Sequence, residues 1–207
     1  MAIAALSNFT VPLASDQSAG SQGMLMPKLQ YRFRLNFENF GTSGSTTEMT
    51  KQVQDAVRPT VELEDQIIDI YNSRIHYAGK PKWGPITVKL RDDVSGNVTT
   101  LVGEQMQRQF DFYEQSSAAA AGDYKFTLRI EMLDGGNGTV APTSLETWEI
   151  YGCYVRKVNY GAVAYKQNEP VVIELEIVYD NAVQTAGGAL GSATAVQTVR
   201  GTNSLGA

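Results

Sequence analysis

Leu29, Tyr31, Phe33, Leu35 and Phe37 alternate with Gln30, Arg32, Arg34, Asn36 and Glu38 without exception. Such a period of two belongs to a strand with one dry face and one wet face. The pattern returns in Tyr124, Phe126, Leu128, Ile130 and Met132, set against Lys125, Thr127, Arg129 and Glu131. It returns again in Val171, Ile173, Leu175, Ile177 and Tyr179, set against Glu174, Glu176 and Asp180. Three long strands of antiparallel type are therefore expected. Shorter strands are predicted at 67–71, 74–77, 86–91 and 147–159, with Asn72-Ser73 and Lys80-Pro81 supplying turn chemistry. One segment changes period: after Val98 the apolar positions are Leu101, Val102, Met106, Phe110 and Tyr113, which is helical spacing. It predicts a helix over about 97–115 with Asn97 as its N-cap. Strands on both sides of one helix give a mainly β, α+β arrangement: a sheet or barrel with the helix packed on a face or end.

Charge sets the domain organisation. Asp16 is the only charge before Lys28, and Arg200 is the only one after Asp180. The folded body is thus expected at 28–180, between a neutral N-terminal arm at 1–27 and a Gly- and Ala-rich arm at 181–207. The C-terminal stretch buries too little apolar surface to offset its chain entropy alone. A frayed tail is the first reading of each arm, and the lack of charge, with Ile3, Leu6, Phe9, Val11 and Leu13 in the N-terminal arm, leaves ordering against a neighbouring subunit as the alternative. Within the body, 41–50 has Met49 as its single aliphatic residue and reads as a long exposed loop between strands.

Composition narrows the function. A net charge of -5 and a pI near 4.9 argue against a protein that grips nucleic acid through its phosphates. One Cys, Cys153, allows no internal disulfide, and one His, His76, cannot build the usual zinc cluster. Apolar runs fall short of the roughly 20 residues needed to span a bilayer, and the first 27 residues lack the signature of a signal peptide. These features suit a soluble protein made in a reducing cytoplasm.

No P-loop, dinucleotide-binding glycine pattern or nucleophile elbow is present, so the readable catalytic devices lack their parts. His76 lies in a strand-like segment without a visible catalytic partner, and Cys153 lies in an apolar strand, the place for an inert thiol. Glu62, Glu64, Asp65 and Asp69 read as a solvated strand face, and Asp92-Asp93 as a turn leading into the helix. No enzyme activity, cofactor or metal is expected. A stable β domain with neutral arms and no site works by assembling.

Three runs then bear on family. They are Tyr71-Asn-Ser-Arg-Ile-His-Tyr-Ala-Gly-Lys-Pro-Lys-Trp-Gly-Pro-Ile-Thr-Val-Lys-Leu-Arg-Asp-Asp93, Gly103-Glu-Gln-Met-Gln-Arg-Gln-Phe110, and Leu145-Glu-Thr-Trp-Glu-Ile-Tyr-Gly-Cys-Tyr154. With the closing strand near 171–180 they cover most of 28–180, and in this order the chain resembles the tail tube protein of contractile-tailed bacteriophages. The loop at 41–50 and both arms depart from compact members of that family.

The resemblance implies an antiparallel β-sandwich or barrel-like fold with one packed helix. It implies a homohexameric ring, with rings stacked into a hollow tube through which DNA leaves the capsid. Each subunit would lend about four strands to an inner barrel of roughly 24, wide enough to enclose an aqueous channel. Implied partners are its own copies, a sheath subunit, baseplate and tail-terminator proteins, and DNA as passing cargo. The place would be the virion tail, assembled in the host cytoplasm, with no membrane involved. A secretion tube of the haemolysin-coregulated type, or a monomeric carbohydrate-binding β domain using Trp83 and Trp148, are the alternatives.

A bore that passes DNA should not grip it, so carboxylates suit its wall. Glu62, Glu64, Glu174 and Glu176 are the candidates for lumen-facing residues, while Arg32 and Arg34 or Lys89 and Arg91 occupy wet faces equally well, since a period of two says only that the faces differ. Ile3, Phe9, Thr42, Ser45, Glu48 and Val196, in the arms and the long loop, are the candidates for contacts between subunits or rings.

Overall fold

The computed structural model describes residues 27–42, 46–135, 141–166 and 168–191. Its elements run β1 (Phe33–Glu38), α1 (Thr47–Gln52), β2 (Val53–Ala56), β3 (Val61–Ile70), β4 (Ser73–Trp83), β5 (Ile86–Arg91) and α2 (Asn97–Gln109). There follow β6 (Phe110–Asp111), β7 (Ser116–Ser117), a 3-10 turn (Ala121–Asp123), β8 (Phe126–Leu133), β9 (Ser144–Asn159), β10 (Val172–Val178) and β11 (Asn181–Ala186).

The long strand β9 belongs to two sheets. Residues 144–153 pair with β8, which in turn pairs with β1, and β11 lies along 147–151 on the other side. Residues 154–159 pair with β10, which continues to β5 and β2. All of these pairings are antiparallel. The changeover sits at Gly152, whose φ of 68° is open to glycine and strained for side-chain-bearing residues. Before it the inward side chain is Ile150; after it they are Cys153 and Val155. The alternation slips by one residue, which turns the strand from one sheet into the other.

Between the sheets lies one apolar core. Leu35 and Phe37 of β1, Phe126, Leu128 and Ile130 of β8, and Ile173, Leu175 and Ile177 of β10 meet Ile86, Val88 and Leu90 of β5 there. These are the dry faces that alternation predicts. Helix α2 covers the core with Val98, Leu101 and Val102, and its buried Gln105 donates to the Tyr124 carbonyl at 2.6 Å. The N-cap position of this helix is Gly96, not Asn97, and the Asp93 carboxylate serves the first turn from the preceding loop. That carboxylate accepts the Asn97 N–H at 3.2 Å and the Ser95 hydroxyl at 2.8 Å, and these bonds hold its pKa below the ordinary value.

The structure corrects several expectations. There are two α-helices among the described residues, not one, because the segment read as a loop at 41–50 folds into α1 from Thr47 onward. Met49, its lone aliphatic residue, is 0% exposed and anchors that helix in the core. Helix α2 ends at Gln109, short of 115. The Asp111 carboxylate accepts the Tyr113 and Glu114 N–H groups and turns the chain into the short β6–β7 pair, leaving Tyr113 94% exposed. The first strand begins at Phe33 rather than Leu29, since Arg32 N–H closes a turn onto the Leu29 carbonyl. Lys80-Pro81 is no turn: β4 runs through it, at a register shift where Pro81 is tolerated. The sheet also continues past Asp180 into β11, where Ala182 joins the core.

Candidate functional site

Strands β3 and β4 form a ribbon of their own. Among the described residues they pair only with each other, from Val61 opposite Trp83 to Ile70 opposite Ser73, and nearly every position is exposed. At the outer end, Gln66, Ile68 and Ile70 face the same way as their cross-strand partners Tyr77, Ile75 and Ser73. The opposite face there carries Asp65, Ile67 and Asp69 with Ala78, His76 and Arg74, tied by Arg74–Asp69 at 2.7 Å and His76–Asp65 at 2.9 Å. One face of the tip is therefore apolar and the other is ion-paired. At the root, Trp83 packs on Tyr179 with ring centroids 5.6 Å apart.

A two-stranded ribbon with no third strand is marginal in water, and aliphatic residues on a free strand pair form a sticky edge. This element was missed in part from the sequence, which placed only short strands at 67–71 and 74–77. The adjacent Ile67 and Ile68 were the available signal, since consecutive aliphatics in a strand give both faces an apolar group.

The four candidate lumen residues divide between two units. Glu62 and Glu64 stand on the ribbon, Glu62 opposite Lys82. Glu174 and Glu176 stand on the wet face of β10. Glu174 is opposite Lys89 and Asn159, and Glu176 is opposite Thr87 and Lys157. Arg156 also reaches Glu176 at 2.5 Å. The wet face is thus mixed in sign, and periodicity could not reveal these partners because they come from other strands.

Of the candidate contact residues, Thr42 donates its N–H to Glu104 at 2.9 Å, which ties the loop to α2. Glu48 is half-buried in the first turn of α1 and pairs with Lys51 at 2.7 Å. Ile3, Phe9, Ser45 and Val196 lie outside the described residues.

Reactive chemistry is sparse. Burial pushes the Cys153 thiol up to about 12, so about one molecule in ten thousand carries a thiolate at pH 8. Native protein at that pH should resist alkylation by iodoacetamide for hours and react within minutes once unfolded in urea. Rapid labelling of the native form, followed by mass spectrometry, would contradict this burial. Among the described residues no three His, Cys, Asp or Glu side chains gather to hold a metal ion.

No family model matches the chain, and no curated protein matches it. Solved structures do. A chain in the tube-terminating cap of the anti-feeding prophage aligns over 82% of this chain and 98% of its own, at 11% identity and a TM-score of 0.59. A chain in the sheath/tube terminator of the extracellular contractile injection system PVC aligns over 79% and 100%, at 13% identity and a TM-score of 0.56. A chain in the extended sheath-tube complex of that system aligns over 84% and 99%, at 12% identity and a TM-score of 0.51. At such identities the likeness is one of fold. The fold is the α+β architecture found in tube, cap and terminator assemblies of contractile injection systems, as the resemblance to tail tube proteins implies.

Proposed function

We propose that this chain is the structural subunit of a phage tail tube, forming hexameric rings that stack into a hollow conduit for DNA. The observation that carries the reading is the β3–β4 ribbon, an apolar and charged strand pair that has no third strand among the described residues. Shared fold with contractile injection assemblies supports the same reading. Contacts made by one surface on a different surface of the next copy generate rings when the rotation closes and filaments when it does not. A sheath, a baseplate and a terminator are the partners such a tube requires, and no catalysis is assigned to it.

Light scattering on purified protein across a concentration series tests the proposal. Growth from monomer to rings and then to long tubes is expected above a critical concentration. A monomer that persists at millimolar concentration would overturn it. A tube terminator built on the same fold is the second reading, favoured by the cap and terminator assemblies among the matched structures. It would form single rings that do not elongate.

Within the tube, the wet face of β10 is assigned to the bore. Replacing Glu174 and Glu176 with Lys turns two negative charges into two positive ones on every subunit. Loss of the partly exposed Arg156–Glu176 pair costs at most about 1 kcal/mol, and each new Lys placed opposite Lys89 or Lys157 costs about 0.2–1 kcal/mol more, so the folded subunit and its assembly should survive. DNA should then be retained, because each added cation that neutralises a phosphate releases a counterion. Ejection from particles carrying the variant should slow at least severalfold at low salt and recover at high salt. Ejection kinetics identical to wild type would remove these glutamates from the wall.

A further inference from the structure

Glu146 sits in β9, the strand shared by both sheets, and is 5% exposed. Three donors converge on its carboxylate: Lys28 Nζ at 2.6 Å, the Trp148 indole N–H at 2.6 Å and Arg58 Nη1 at 3.4 Å. Burial alone would raise its pKa, but Lys28, Trp148 and Arg58 outweigh that and hold it below the ordinary value. The two cations come from distant places in the chain. Lys28 stands where the described body begins. Arg58 stands in the connection 57–60, between the end of β2 at Ala56 and the start of β3 at Val61. One buried carboxylate thus fastens both the entry of the chain and the root of the ribbon to the sandwich.

The root is also held by the packing of Trp83 on Tyr179 and by backbone bonds. Val57 N–H reaches the Thr87 carbonyl at 3.1 Å and Gly84 N–H reaches the Thr60 carbonyl at 2.9 Å. These fix where the connection lies. Between them, Arg58 is the side chain that draws it onto β9, and Lys28 lies across the same carboxylate from the other side.

We propose that Glu146 is a positioning residue for assembly: by holding Arg58 and Lys28 it sets the direction in which the ribbon leaves the sandwich. The ribbon then meets a second copy already oriented, and the entropy of ordering it is not charged to the association step. This deepens the assembly reading above and rests on it.

Glu146→Gln separates the clamp from the fold. The amide oxygen still accepts the Trp148 N–H while the charge is lost. Lys28 and Arg58 are about half exposed, so both can turn to water rather than remain as stranded buried charges. Hydrogen exchange read by mass spectrometry, on monomer below its assembly concentration, compares wild type, Glu146→Gln, Arg58→Gln and the double variant. Exchange at 57–62 should quicken at least tenfold in each single variant, and no further in the double. Exchange across β10 should stay unchanged, which separates a positioning role from general loss of stability. The critical concentration for assembly should rise at least tenfold in the same variants.

Unchanged exchange at 57–62 in Glu146→Gln, or additive effects in the double variant, would overturn the clamp. Faster exchange with an unchanged critical concentration would overturn its role in assembly. Wild type that never assembles would instead sink the tube reading, and the exchange data would still judge the clamp.

Discussion

Replacing Ile68 with Asp and Ile75 with Lys should leave the subunit folded and abolish its assembly. The two residues are opposite each other across the ribbon and each is 49% exposed, outside the apolar core. Removing them therefore opens no cavity. An Asp and a Lys directly across a strand pair attract, contributing about 0.2–1 kcal/mol, so the ribbon keeps its own pairing. What disappears is apolar surface for a neighbouring copy. Full burial of an Ile is worth about 1.5–3 kcal/mol, and only about half of each side chain is still open to a neighbour, so losing two forfeits about 1.5–3 kcal/mol and raises the critical concentration by roughly tenfold to a hundredfold. Thermal unfolding of the monomer should shift by no more than a few degrees. Sedimentation velocity reads the assembly and circular dichroism reads the fold. Tubes formed at the wild-type concentration would show that this face of the ribbon is not buried in the assembly.

Gly152→Val should have the largest effect on the fold itself. At φ 68° a β-branched residue is strained, and a Cβ there would collide with the carboxylate of Asp180. That carboxylate also accepts from Lys125 at 2.5 Å, so it cannot move away without breaking the pair. Strain of this kind costs about 1–3 kcal/mol before the collision is counted. A total of about 3 kcal/mol or more lowers the melting temperature by roughly 6–12 °C at this chain length. Gly103→Ala is the control: it lies in α2 with nothing within 4 Å of a new Cβ. It should stabilise by up to about 1 kcal/mol, because alanine is the better helix former. Equal melting temperatures for Gly152→Val and wild type would remove Gly152 as the point where β9 changes sheets.

Why some of this was legible and some was not follows from what alternation measures. A period of two appears when one face of a strand is dry within its own chain, as in β1, β8 and β10. The ribbon has no dry face among the described residues, so the same rule finds only its outer end and puts a turn at Lys80-Pro81. Alternation in β9 breaks at Gly152 because the strand changes sheets there, and the slip from Ile150 to Cys153 is visible in the residues themselves. Helix α1 has six residues and one buried side chain, too little for any period to register. Helical spacing runs past the end of α2 because Phe110 and Tyr113 keep it while Asp111 turns the backbone away. Glu146 reads like any polar residue of a strand. Its burial depends on Lys28 and Arg58, which lie 118 and 88 residues away along the chain.

The direct test of the assembly is a cryo-electron microscopy reconstruction of the protein polymerised at high concentration. Six-fold rings stacked around an open bore are expected, with the β3–β4 ribbon of each subunit seated on a neighbouring copy. A reconstruction in which the ribbon projects free into solvent, or a preparation that holds only monomers, would contradict the account.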